Sequence, residues 1–393
     1  MTTEQTGRRV SPWLDHFMLA GLMLFAAAIQ FSIVIGEVAL WLTLAAWAVS
    51  LVVNRERPDA PPWFWPLLAY VGVSLVATAT SLDRSQSLGP TKQMLLYLVV
   101  PAAYSIARGQ RAHTIMHVII TAGAVSAIVG VIEYGVLNYD SLGQRPRGTL
   151  GHYMTYSGLL MLVICSTAAR LLYQRRDWIW PAVVMPALVA ALALTFTRSA
   201  WVGACVGVGL LLLLRDLRLF GVLPVVAALV IALAPAAVTD RAYSMFNLRD
   251  PTNRDRLAMI QAGTAIVKRY PLTGVGPNVV HEIYPSYREA AAVDRTPPHL
   301  HNVPLQIAAE RGLPALAIWL WFVAAATIGL WRRFRTDRVR YLAAAGIGAL
   351  AAMLAAGFFE YNFGDSEFVV TLLILLTLPW AAVRDTSASV PAA

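Results

Sequence analysis

The sequence predicts an all-α integral membrane protein with about 12 transmembrane helices and one long periplasmic loop containing short helices. Two compositional facts point there: 58% of residues are hydrophobic and only 13% are charged, with a mean hydropathy of +0.60. The third observation is arrangement, because apolar runs repeatedly reach the ~20 residues that a helix needs to cross a bilayer. The chain, 1–393, reads as a single polytopic membrane domain, with 240–303 a loop that carries part of a working site.

The expected spans are 17–35, 36–53, 63–80, 94–107, 114–137, 153–173, 178–196, 199–214, 220–239, 304–330, 341–359 and 366–383. The first, Phe17 to Ile35, is too long for the apolar core of a cleaved signal peptide and leads directly into the second, so the N-terminus is expected to stay attached. Cys165 and Cys205 lie inside apolar runs, where free cysteine behaves as a small hydrophobe, and imply neither a disulfide framework nor a thiolate metal site. Orientation follows from basic residues in short connections, which are retained on the cytoplasmic side. With the N-terminus inside, the inner segments hold Arg8, Arg9, Arg55, Arg57, Arg108, Arg111, Arg170, Arg175, Arg176, Arg215, Arg218, Arg332, Arg333, Arg335, Arg338, Arg340 and Arg384. The short outer connections hold only Arg84, Lys92, Arg145, Arg147 and Arg198. The long loop then lies outside, which in a bacterium is the periplasm or cell surface.

This topology accounts for most of the net charge of +9, so no nucleic-acid partner is expected. The informative charges are on the other side. The long loop carries Arg241, Arg249, Arg254, Arg256, Lys268, Arg269, Arg288 and Arg295 against Asp240, Asp250, Asp255, Glu282, Glu289 and Asp294. Nearly all its cations are arginine, whose planar fork grips phosphate oxygens bidentately and stays charged when desolvated, so a membrane-embedded anion is the expected ligand. Arg198 is the sharpest case, since Thr195-Phe196-Thr197-Arg198-Ser199-Ala200-Trp201 joins two apolar runs with almost no polar connection. An arginine at that depth needs a partner or a wet cavity; the alternative is that it snorkels to the outer headgroups.

Several motifs in chain order resemble the O-antigen ligase and O-antigen polymerase superfamily of bacterial envelope glycan transferases, the ligases most closely. They are Arg147-Gly148-Thr149-Leu150-Gly151-His152; Thr197-Arg198-Ser199-Ala200-Trp201; Arg256, followed by Pro271-Leu272-Thr273-Gly274-Val275-Gly276-Pro277; and His301-Asn302, followed by Ala309-Glu310-Arg311-Gly312-Leu313-Pro314. Each is short; the ordered set, over the C-terminal two-thirds, is fairly specific. The chain departs from the family's pattern at Ile260, where a tryptophan is usual, and at Pro314, where a second glycine is common.

The resemblance implies transfer of a glycan from an undecaprenyl diphosphate carrier to an acceptor hydroxyl, on the lipid A core for a ligase, at the outer face of the bacterial cytoplasmic membrane. It places Arg198 and Arg256 on the diphosphate, whose departing charge guanidinium groups stabilise without a metal or other cofactor, and His301 as the general base. Arg147, Arg254, Arg288, His152, His299, Asn302 and Tyr284 are the further candidates for substrate contact. The sequence does not give the oligomeric state.

Other readings of these residues stay open. His299 and His301, alternating on an extended segment, form half of a zinc site that His281, Asp294 or Glu310 would complete, although no zinc-type spacing recurs and none is expected. His152 either lines the cavity or packs, Asn302 orients its neighbour or caps the next helix, and Tyr284, Tyr287 and Trp201 stack on sugars or mark the interface belt. His16, His113 and His117 read as solvated or capping residues at cytoplasmic ends, and His281 as a loop-surface residue. Leu257 to Tyr270 reads as a surface helix with Arg256 at its start, where a helix N-terminus helps hold an anion. Glu37, Glu133, Glu360, Asp365 and Glu367 read as solvated, and Gly203 to Gly209 and Ala343 to Ala351 as close helix packing. A polymerase, with a second carrier-linked glycan as acceptor, is the first alternative function. A lipid-linked glycan or small-solute transporter is the second, but it would place charges deep inside the spans.

Overall fold

The computed structural model describes residues 12–174, 176–247, 249–288 and 296–384, and all regular structure among them is helical. Arg8, Arg9, Arg175, Glu289, Asp294 and Arg295 lie outside the described residues. In chain order the helices are α1 (Pro12–Ala28), α2 (Ile33–Asn54), α3 (Phe64–Ala79), α4 (Arg84–Gln93), α5 (Val99–Ile106), α6 (Gln110–Gly135), α7 (Tyr153–Tyr173), α8 (Ile179–Leu194), α9 (Arg198–Arg215), α10 (Val222–Leu233), α11 (Ala236–Tyr243), α12 (Pro251–Arg269), α13 (Val280–Ile283), α14 (Val303–Phe334), α15 (Arg340–Gly357) and α16 (Ser366–Ala381).

Six of these, α2, α6, α7, α9, α14 and α15, are long and apolar enough to cross a membrane, and five shorter apolar helices accompany them. The chain is a multi-pass membrane protein. Its outer surface is apolar where lipid would lie, with Val34, Val52, Trp65, Ile179, Val183, Leu229, Trp321 and Ile328 all exposed. The expected span 94–107 is helical in pieces: a 3-10 turn, Met94–Leu98, and α5 continue from the polar α4.

α7, α15 and α16 form the centre of the bundle and are buried almost all round. The small residues predicted to pack closely do so: a Cβ on Gly207 would meet the Gly348 carbonyl oxygen at 2.6 Å, so α9 and α15 touch backbone to backbone. The long loop is itself folded. Met259, Ala262, Ile266, Val275, Val280, Tyr284 and Leu300 make a small core of its own, with Ala309 of α14.

Two motifs far apart in sequence form one joint. α14 breaks at Gly312, whose φ of 82° lies in the left-handed region that side chains avoid. The turn after Pro271 docks into that break: Leu313 N donates to Pro271 O at 2.8 Å, Val275 N to Ala309 O at 3.0 Å and Gly276 N to Glu310 O at 2.9 Å. The break exposes helix carbonyls, and the glycine turn brings the N–H groups that satisfy them. The same turn reaches α3 and α4, with Leu82 N donating to Val275 O at 3.0 Å and Ser87 Oγ to Pro277 O at 2.8 Å.

Candidate active site

The C-terminal end of α6 and the N-terminal ends of α7, α9, α14 and α16 meet at one end of the bundle. The Arg147, Thr197-Arg198 and His301-Asn302 motifs each precede or start a helix there, which helps bring residues spread from 133 to 365 to one site. The Arg147 motif is anchored by a buried carboxylate, as Glu133 Oε2 accepts from both Arg147 N and Gly148 N at 2.8 Å. Glu133 is therefore not solvated as expected; two backbone N–H groups offset its desolvation.

Arg198 begins α9 and is only 4% exposed. It does not snorkel. Its guanidinium donates to Ser244 O at 3.0 Å, Ser244 Oγ at 3.1 Å, Asn253 Oδ1 at 3.1 Å and Asp250 Oδ1 at 3.3 Å. Asp250 also faces Arg241 at 3.8 Å. Burial works against the Asp250 charge, but Arg198, the Thr252 hydrogen bond and Arg241 outweigh it and keep the carboxyl below its usual range. Asp250 caps α12, with Pro251 at its first position, so the helix starts six residues before Leu257 and Arg256 sits in its second turn. The expectation that Arg256 opens this helix is thus corrected: the Asp250-Pro251 start signal lies upstream of the apolar pattern that suggested the boundary.

Arg145 and Arg241, which the sequence reading left unassigned, join this cluster. Burial, then the charges of Arg198, Arg145 and others, depress Arg241 to about 10. Burial also lowers Arg145 and Arg256, and Arg198 adds to both effects. Burial is the largest cause in each case, and the Glu360 carboxylate opposes it at Arg256 as Asp250 does at Arg241. Arg256 is the least satisfied: its Nε is buried without a hydrogen-bond partner among the described residues, and its guanidinium lies 5.8 Å from the Phe359 ring centre. Such a group is a ready anion receptor.

Beside Arg256 stand His299, His301 and Glu360. His301 adopts φ 48°, rare for a residue with a side chain, directly before the α14 cap. Asn302 is that cap, accepting from Leu305 N at 2.9 Å, while its amide donates to Phe358 O at 3.2 Å; of the two readings, capping is the one the contacts bear out. The strained turn aims His301 Nδ1 at Glu360 Oε2, 2.9 Å away, and His299 Nε2 lies 3.5 Å from Glu360 Oε1. Glu360 is 9% exposed and accepts the Tyr361 N–H as well. Burial opposes its charge, but the His301 hydrogen bond and the two histidines prevail and hold it at about 2. Burial drops His299 to about 4, so that ring is neutral at physiological pH despite the carboxylate. Because Glu360 only accepts, the His301 N–H that faces it is the one on Nδ1.

Glu360 was read as solvated, and the structure makes it the residue that fixes the histidine pair. His299, His301 and Glu360 also bring ligand atoms within 4.8 Å of one another, near enough to hold a metal ion. Glu360 thus takes the place expected of His281, Asp294 or Glu310. His152 precedes α7 at its N-cap position without a side-chain cap hydrogen bond, stacks on Tyr153, and lies close enough to His299 to act on it electrostatically. Arg147 instead faces the Tyr139 ring at 5.5 Å, Arg254 is exposed on α12, and Arg288 is half-buried beyond the loop core. Tyr284 is fully buried in that core, where its ring packs the loop together. At the opposite end His113 meets Tyr341 Oη at 2.6 Å and His117 meets Arg170 at 3.3 Å, so both are bonded rather than solvated.

Fold and site together define a multi-pass, all-helical membrane protein whose polar centre combines clustered arginines with a carboxylate-held histidine pair. Residues 182–320, the stretch that holds Arg198, Arg256 and His301, match the family model described as O-Antigen ligase. No curated protein matches the chain.

Proposed function

We propose that the protein is an O-antigen ligase, a glycosyltransferase that moves a polysaccharide from an undecaprenyl diphosphate carrier to a hydroxyl of the lipid A core. It works at the periplasmic face of the bacterial inner membrane, with its N-terminus cytoplasmic. The observation that carries the reading is the His301–Glu360 pair at 2.9 Å beside an arginine with an unpartnered buried Nε.

His301 Nε2 accepts the proton of the acceptor hydroxyl as its oxygen attacks the anomeric carbon. The bond from that carbon to the diphosphate oxygen breaks, and attack from the face opposite the leaving group inverts the centre. Glu360 orients the ring and stabilises the imidazolium that forms. Arg256 receives the charge developing on the diphosphate, and Arg145 and Arg241 add to the field. Arg198, saturated by Ser244, Asn253 and Asp250, holds the loop in place and contacts the diphosphate by exchanging one of those partners.

Purified protein in detergent with EDTA is offered a carrier-linked glycan donor with either lipid A core or a second carrier-linked glycan. Product on lipid A core with EDTA present is expected, as is a fall of ~10²–10⁴-fold in His301→Ala with folding intact. Extension of the carrier-linked glycan instead identifies a polymerase, and no product with either favours a transporter. Activity lost in EDTA and restored by zinc would give the histidine pair and Glu360 to a metal.

A further inference from the structure

A cavity of about 440 Å³ opens beside His299, and none of the four clustered arginines lines it. We infer that it seats the terminal sugar of the acceptor, and that this sugar is unphosphorylated, either neutral or amino-bearing. The inference rests on the transferase reading above and names its second substrate site.

Position is the first argument. His299 forms part of the cavity wall and its ring centre is 4.2 Å from that of His301, so a sugar there lies one ring away from the base. The volume falls within the ~300–1,000 Å³ of small-ligand sites.

Chemistry is the second. Tyr70, Tyr97 and Tyr361 present rings, while Gln93 and Asn278 bring amides. Ring faces meet the C–H face of a pyranose, and amides both donate to and accept from its hydroxyls.

Charge is the third. Among the described residues lining the cavity, Arg311 is the one permanent cation, and Glu310 neutralises it at 2.6 Å. Asp365 adds a further carboxylate. The balance is negative, which repels a diphosphate or phosphorylated sugar and suits a neutral ring or an ammonium group. The wall is also preorganised: Glu310 Oε1 accepts from Asn278 N at 2.7 Å and from Gln306 Nε2 at 2.8 Å, and Gln306 Oε1 accepts from Leu300 N at 2.7 Å. The cavity wall and the histidine segment are thus one hydrogen-bonded unit.

Gly89 allows a test that spares the fold. It lies on the cavity wall in α4, and a Cβ built there meets nothing within 4 Å. Gly89→Trp sets a large ring at the cavity wall and Gly89→Ala serves as control. With purified full-length protein, Gly89→Trp is expected to raise KM at least tenfold for lipid A core ending in an unphosphorylated hexose. KM for the carrier-linked donor and binding of undecaprenyl diphosphate should stay at the wild-type level, and a phosphate-capped acceptor should be a poor substrate for the wild type. The same pattern with a carrier-linked glycan as acceptor would support the site and make the enzyme a polymerase. An unchanged acceptor KM, a raised donor KM, or good use of the phosphate-capped acceptor would each overturn the inference while leaving the transferase intact. Wild-type protein that transfers to no acceptor would instead remove the transferase reading itself.

Discussion

Glu360 changes what His301 is able to do. A lone histidine on a loop tip is a solvated base of arbitrary orientation; one held at Nδ1 by a buried carboxylate has a fixed orientation. Folding lowers the Glu360 pKa from the ordinary 4.5 to about 2, so it favours the ionised form. The resulting stability is complete above pH ~4.5 and is lost as pH falls toward 2. Glu360→Gln should therefore flatten the dependence of melting temperature on pH between 2 and 4.5. It should also cut transfer at neutral pH by roughly 10²-fold or more. A wild-type rate in this variant would take the carboxylate out of the mechanism.

At the level of elements, the joint between the Pro271–Pro277 turn and the break in α14 positions the site. It fixes where α14 restarts, and so where Asn302 and His301 sit relative to Glu360. Gly312 has no room for a side chain: its φ of 82° is left-handed, and a Cβ would run into the Leu272 carbonyl. Gly312→Ala is expected to cost ~1–3 kcal/mol from the backbone alone, with displacement of the docked turn in addition. Thermal unfolding in detergent measures it, and an unchanged melting temperature would mean that the joint is looser than described. Gly274 faces the Glu310 backbone equally closely from the other side.

For the whole molecule, the helix ends that build the site all point the same way, so topology decides whether the site meets the periplasm. The arginine asymmetry of the short connections is the ground for proposing that it faces outward. Arg254, exposed on α12, and Arg57, in the connection after α2, are convenient reporters. In intact cells a membrane-impermeant maleimide should label Arg254→Cys, and Arg57→Cys only after permeabilisation. The reverse pattern would turn the protein over and put the proposed donor on the wrong face.

Composition and run length alone determined that the chain is helical and embedded in a membrane, because burying ~20-residue apolar runs in lipid leaves few alternatives. Local pattern was enough to mark Arg198, Arg256, His301 and Asn302, since a charge beside an apolar run or a polar residue before Pro304 stands out in one dimension. Tertiary structure decided the rest. Glu360, Glu133, Arg145 and Arg241 look like ordinary loop charges until helices distant in sequence bring each to its partner, and Tyr284 is enclosed only when the loop folds around it. A residue's type is written in the sequence, but whether it is desolvated and what it faces depend on contacts between segments far apart in the chain, and those contacts set its chemistry.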